Sequence, residues 1–179
     1  MSVKTTSRTK ILTRIGVLTA LGLLLRLIQV TYPLATFLKY DPADIPAIVA
    51  GFAVGPLAGL AVELFKNLLA LGLGMAPGGI VGEAANLVAG GTFILASSLI
   101  YWRHKSRVMA IASLAAGTVL AAVVMSIANY YIFLPIWGVP TDQLRVTTVK
   151  FILPFNVLKF GLSSVLTYFL YKPVRHFLS

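Results

Sequence analysis

Apolar runs of about twenty residues, broken by few charges, constrain this chain more than any other feature. A helix needs about that length to cross the hydrocarbon core of a bilayer. The runs at 11–30, 80–102, 108–134 and 150–171 all qualify. The charged fraction agrees. The 179 residues are 58% hydrophobic and only 11% charged, with a mean hydropathy of +0.90, whereas a soluble domain is about a quarter charged. No alternation of polar and apolar residues persists over several segments, which argues against a transmembrane barrel. The expected architecture is an all-α membrane protein, one domain over residues 1–179.

Composition also removes whole classes of function. There is no Cys, hence no disulfide, thiolate nucleophile or thiolate metal site. A net charge of +10 suits nucleic acid, but the basic residues sit between apolar spans, as orientation signals do. The two His residues, His104 and His176, lie in separate basic segments without a second metal ligand nearby. The Gly-rich segment GLGMAPGGIVGE (72–83) lacks the Lys-Ser/Thr ending of a phosphate-binding loop, and no strand precedes it. Serines have no His–Asp partners nearby. The expectation is therefore no catalysis, no metal and no cofactor. Met1–Lys10 is basic and lacks a small-residue cleavage signal, so it reads as a retained cytoplasmic tail.

The punctuated stretch 38–72, LKYDPADIPAIVAGFAVGPLAGLAVELFKNLLALG, organises the rest. An ionisable residue inside lipid is costly and marks a functional site or a partner. Here such residues are Asp44, Glu63 and Lys66. Pro is tolerated in the first turn of a helix, so Pro46 and Pro56 predict two helices joined by a tight Gly55-Pro56 turn. Asp44 stands where an N-cap carboxylate would accept backbone N–H bonds. Glu63 and Lys66 are three apart on one helix face and are expected to pair.

Two connections are long. Residues 31–43 (TYPLATFLKYDPA) carry Tyr32, Phe37, Leu38 and Tyr40. Such a segment folds over a site as a lid or anchors at the membrane interface. Residues 135–149 (PIWGVPTDQLRVTTV) carry Trp137. On the first span Gly16 and Ala20 share a face that permits another helix to approach closely. Arg26, near the far end, is expected to snorkel outward.

Charge placement sets the number of crossings. With two helices in 44–72 the chain crosses six times. Nine Lys and Arg residues then fall on the side of the termini (the N-tail to Arg14, the 102–107 turn and the C-tail) and three on the other. The positive-inside rule makes the termini cytoplasmic. The helix near 44–55 is short for a crossing, about 18 Å at 1.5 Å per residue, and is expected to tilt or to sit in a thin, well-packed position. This topology gathers Leu38, Lys39, Tyr40, Asp44, Glu83, Asn86, Asn129, Asn156 and Lys159 at similar depth toward the outer face. A few amides and charges within apolar walls describe a small-molecule pocket. Asn offers both donor and acceptor and suits a heterocycle with alternating C=O and N–H edges. Asn residues also hold membrane helices together, an alternative reading of each.

The blocks FLKYDPADIPAIVAGFAVGPLAGLAVELFKNLL, GEAANLVAGGTFILASSLIYWRHKS and LPFNVLKFGLSSVLTYFLYK resemble the riboflavin-specific substrate-binding (S) components of energy-coupling factor (ECF) transporters. The resemblance covers roughly residues 11–174. It implies a six-helix bundle that binds riboflavin at the outer side and hydrolyses nothing itself. Its implied partners are a transmembrane coupling subunit and two ATPase subunits. The small-residue face of the first helix, Gly16 and Ala20, would meet the coupling subunit. Asn156 and Lys159 correspond to pocket residues of the family, together with the first loop and the fourth and fifth helices. The competing readings are an S component for another vitamin or a pyrimidine precursor, and an autonomous small channel or exporter.

Overall fold

A computed structural model describes residues 8–178, with side chains described through residue 170. The chain is helical almost throughout. Helix α1 (Arg8–Leu25) leads into a two-stranded hairpin, β1 (Val30–Thr31) and β2 (Lys39–Tyr40), and a 3₁₀ turn at Pro42–Asp44. Then come α2 (Ile45–Ala53), α3 (Pro56–Gly72), α4 (Gly79–Arg103) and α5 (Arg107–Ala128). A π turn at Asn129–Phe133 continues α5 into the short α6 (Leu134–Ile136). Helix α7 (Thr141–Thr147) passes through a second π turn, Thr148–Ile152, into α8 (Leu153–Leu178). Among the described residues three rods are long and apolar enough to cross a membrane: Gly79–Arg103, Arg107–Ile136 and Thr141–Leu170.

Helix α2 is the centre of the bundle. Its residues Ile45 to Phe52 are all buried, and α1, α3, α4 and α8 pack around it. A helix that is apolar all round belongs inside. Enclosure also removes the length problem: a helix sheathed by others need not match the bilayer. Gly55, at φ +151, makes the turn to Pro56 that sends α3 back along α2. Pro56 has no N–H, and the Gly55 N–H bonds Ala50 O at 3.1 Å. Trp102 of α4 supplies a donor to the Gly51 carbonyl instead, Nε1 to O 2.9 Å.

Away from the hairpin, α4 is clamped between α2 and α5 at close range. A Cβ on Gly51 would lie 2.1 Å from Ser98 Oγ, and one on Gly117 would lie 2.0 Å from Ser97 Oγ. Aromatic stacking completes this region, with Phe52 on Tyr101 at 4.3 Å and Phe93 on Phe160 at 4.8 Å. Leu24, Leu68, Val119, Val123, Val157 and Leu158 face outward. Charges inside and leucines outside suit lipid surroundings.

Three sequence expectations change. The first span was expected to run to residue 30, but α1 stops at Leu25 and the chain turns into the hairpin. Arg26 does not snorkel outward: it is 4% exposed and bonded inside the bundle. The connection 135–149 is mostly helix, because Pro140 and Thr141 start α7 after a turn at Gly138.

Candidate ligand-binding site

A cavity of about 780 Å³ opens among the hairpin, α4, α5 and the α6–α8 segment, within the usual size of ligand pockets, ~300–1,000 Å³. The hairpin pairs Val30 with Tyr40 and Thr31 with Lys39. The Tyr32 ring rests on Phe155 of α8 at 5.4 Å, so the hairpin leans on the last helix and brings Phe37, Leu38, Lys39 and Asp41 to the cavity wall. Met125, Leu134, Trp137, Ile152 and Phe155 supply the apolar walls.

Seven of the nine expected binding residues line this space: Leu38, Lys39, Glu83, Asn86, Asn129, Asn156 and Lys159. Tyr40 and Asp44 are not among its lining residues. Burial holds the Tyr40 phenol above its ordinary pKa, so it stays a neutral hydroxyl. Asp44 does not cap α2. Its carboxylate makes no capping bond, and Asp41 caps the preceding 3₁₀ turn instead, accepting from the Ala43 N–H at 3.0 Å. The physical reason is tertiary: two lysines from distant helices claim the Asp44 carboxylate.

Those lysines belong to a chain of polar groups running beside the cavity. Lys159 of α8 is 3.3 Å from Asp44 Oδ2 and donates to Asn86 Oδ1 at 3.4 Å. Asp44 also takes an ion pair from Lys66 of α3. Lys66 reaches Glu63 at 2.8 Å, so the expected Glu63–Lys66 pair forms but is one link of several. Asn67 donates to Glu63 Oε1 at 2.7 Å and accepts from Arg26 Nη1 at 3.4 Å. Arg26 closes the series in an ion pair with Glu83. The ends of the chain, Glu83 and Asn86, are one turn apart on α4. Three cations, Arg26, Lys66 and Lys159, thus meet three carboxylates, Asp44, Glu63 and Glu83, all nearly inaccessible. Such pairing is what makes buried charge tolerable.

Two of the three cavity asparagines share a local design. Asn129 opens the first π turn and its amide nitrogen donates to the Met125 carbonyl at 2.8 Å. Asn156 donates likewise to the carbonyl of Ile152, the last residue of the second π turn, at 2.8 Å. Each amide is oriented by its own helix and retains its oxygen and a second N–H for another partner. π turns recur at functional sites, and these two lie against each other. Sequence reasoning missed Arg26 and the apolar walls from Met125 to Phe155. One signal pointed to Arg26: like Lys66 and Lys159, it is a basic residue set well inside an apolar run.

On α1, Gly16 and Ala20 face outward, and a Cβ on Gly16 would meet nothing within 4 Å. Thr19 and Gly22, close by in sequence, are buried. Among the described residues nothing packs on Gly16.

A helical membrane bundle whose cavity gathers three amides and the ion-paired Lys159 at a single end is the design of a small-molecule binding subunit. Comparison with known proteins makes this specific: the family model described as ECF transporter, substrate-specific component matches residues 10–171, and the chain belongs to that family. It is 35% identical over 176 residues to the riboflavin transporter RibU of Staphylococcus aureus (strain TCH60), covering 94% of this chain and 92% of the relative. It is 35% identical to the riboflavin transporter FmnP of Bacillus subtilis (strain 168), covering 85% of each. A solved structure described as the S component of a bacterial ECF transporter superposes with a TM-score of 0.84 at 34% identity, covering 97% of this chain and 99% of that one.

Proposed function

We propose that this chain, as a single domain over residues 1–179, is the riboflavin-capturing membrane subunit of an ECF uptake transporter. It takes riboflavin as cargo rather than as a cofactor and performs no chemistry on it. The observation that carries the reading is the cavity lining: Asn86, Asn129, Asn156 and Lys159 converge from three helices within apolar and aromatic walls. A flavin ring asks for this set, since its carbonyl and N–H edge needs both donors and acceptors and its faces need apolar cover. The names of the relatives point to the same ligand. Leu38 and Lys39 from the hairpin and Glu83 complete the binding residues, with Tyr40 and Asp44 supporting from behind.

In this reading the chain crosses the cell membrane six times with both termini cytoplasmic, and the cavity opens outward. The positive-inside count supports that orientation. Energy comes from a coupling subunit and two ATPase subunits, and the open face of Gly16 and Ala20 is the seat for the coupling subunit. Two measurements test the proposal. Purified chain should quench the fluorescence of added riboflavin to saturation, and proteoliposomes should accumulate riboflavin only when the coupling module and ATP are both present. Absence of quenching at micromolar riboflavin refutes the ligand. ATP-independent uptake refutes the partnership.

A further inference from the structure

We propose that the α4–α5 turn, residues 102–107, is a seat for an anionic phospholipid of the surrounding leaflet, whose phosphate is held by Arg103, Lys105 and Arg107. The turn lies at the end of the bundle away from the cavity, and the inference is independent of the riboflavin reading. Every residue of the turn is exposed. The chain's five carboxylates are Asp41, Asp44, Glu63, Glu83 and Asp142, so none falls within 84–141. Asp44, Glu63 and Glu83 are already spent on Lys66, Lys159 and Arg26. Among the described residues, no carboxylate pairs with Arg103, Lys105 or Arg107. Three cations at the end of a membrane helix, with no counter-ion from their own chain, draw anionic headgroups.

Two further features select a lipid over a soluble anion. The first is Trp102. Its Nε1–H donates to the Gly51 carbonyl at 2.9 Å, and the Lys105 ammonium lies 3.4 Å from the centre of its ring. Indole rings gather at headgroup level, so the fixed ring sets the depth of the turn and keeps Lys105 there. The second is the surface next to it. Leu99, three residues before Trp102, shares its face of α4, and Val108 and Ile111 share a face of α5. All three are exposed. Cations at headgroup level beside bare apolar side chains match a phosphate joined to acyl chains. A phospholipid satisfies both with one molecule, whereas a soluble anion leaves the apolar side chains uncovered.

The chain has two tryptophans, Trp102 and Trp137, so Trp137→Phe leaves Trp102 as the sole reporter. This full-length variant is placed in vesicles of equal parts phosphatidylcholine and phosphatidylglycerol, with one of the two brominated in its acyl chains near the headgroup. Bromine quenches an indole that it touches. Brominated phosphatidylglycerol should occupy the seat at least about fivefold more readily than brominated phosphatidylcholine, the worth of one basic side chain at an anionic surface. Adding Arg103→Gln, Lys105→Gln and Arg107→Gln together should bring the preference within about twofold of none, while brominated phosphatidylcholine still quenches, which shows that Trp102 keeps its place. A measurement without these substitutions guards against their misfolding: in 1 M salt, where charges are screened beyond about 3 Å, the preference should also fall. Equal quenching by the two lipids at low salt overturns the seat, as does a preference that survives both the substitutions and the salt. Quenching by neither lipid also overturns it, and assigns the turn to a protein partner that lipid does not reach.

Discussion

The two ends of this bundle are held by different physics. Toward the hairpin, α1, α2, α3, α4 and α8 are tied by charge: Arg26, Lys66 and Lys159 against Asp44, Glu63 and Glu83. Toward the α4–α5 turn, helices touch through Gly51 on Ser98 and Gly117 on Ser97, and aromatic rings stack. Buried polar side chains in that end, such as Ser113 and Thr118, bond carbonyls of their own helix at 2.9 Å. Close packing leaves no room and tolerates no change in volume. Ion pairs hold helices at the length of two side chains, which leaves space between them. The end that holds the cavity is the end built of long polar side chains.

The largest effect expected from breaking this contrast is at Lys66. Lys66→Met strands the Asp44 and Glu63 carboxylates, and removing one partner of a buried pair costs ~3–5 kcal/mol. Thermal unfolding in detergent should show the loss, with riboflavin binding lost alongside it. Next, Asn156→Ala should weaken riboflavin by about ten- to a hundredfold, or ~1–3 kcal/mol, with little change in melting temperature. Gly117→Ala should behave in the opposite way. It forces a methyl onto Ser97 and should cost ~1–3 kcal/mol of stability by overpacking, with riboflavin affinity unchanged in a titration at a temperature where the protein is folded. Trp102→Phe, which removes the donor to the Gly51 carbonyl, should cost about 1 kcal/mol by the same thermal assay and spare affinity. Gly16→Leu should have the smallest effect on the isolated chain, within ~0.5 kcal/mol, as surface changes usually do. It should nevertheless weaken co-purification with the coupling subunit, because a bulky side chain separates helices that small residues let touch.

Most of the fold was legible because hydropathy alone marks long apolar helices. The Gly55-Pro56 turn was legible because Pro lacks an N–H and Gly reaches φ +151. The α7 start was obscured by the polar run after Trp137, although Pro140 followed by Thr141 and Asp142 is an acidic first-turn signal. The π turns were not legible in sequence, because a one-residue insertion shows as a shift of the apolar stripe, and these spans are apolar on most sides. At the site, Asn129, Asn156 and Lys159 were legible as polar groups in apolar spans. Asp44 was misread because local spacing shows a cap, while its partners Lys66 and Lys159 lie 22 and 115 residues away. Arg26 was misread because the expected helix ran five residues too far, which left the arginine on an outward face.

The central claim is that the amide-lined cavity is where riboflavin binds. Equilibrium dialysis of riboflavin against wild type and Asn156→Ala, purified and compared at equal folded concentration, tests it most directly. The account predicts one riboflavin per wild-type chain and an affinity about ten- to a hundredfold weaker for the variant. Equal affinity in both proteins would contradict it and move the site away from α8.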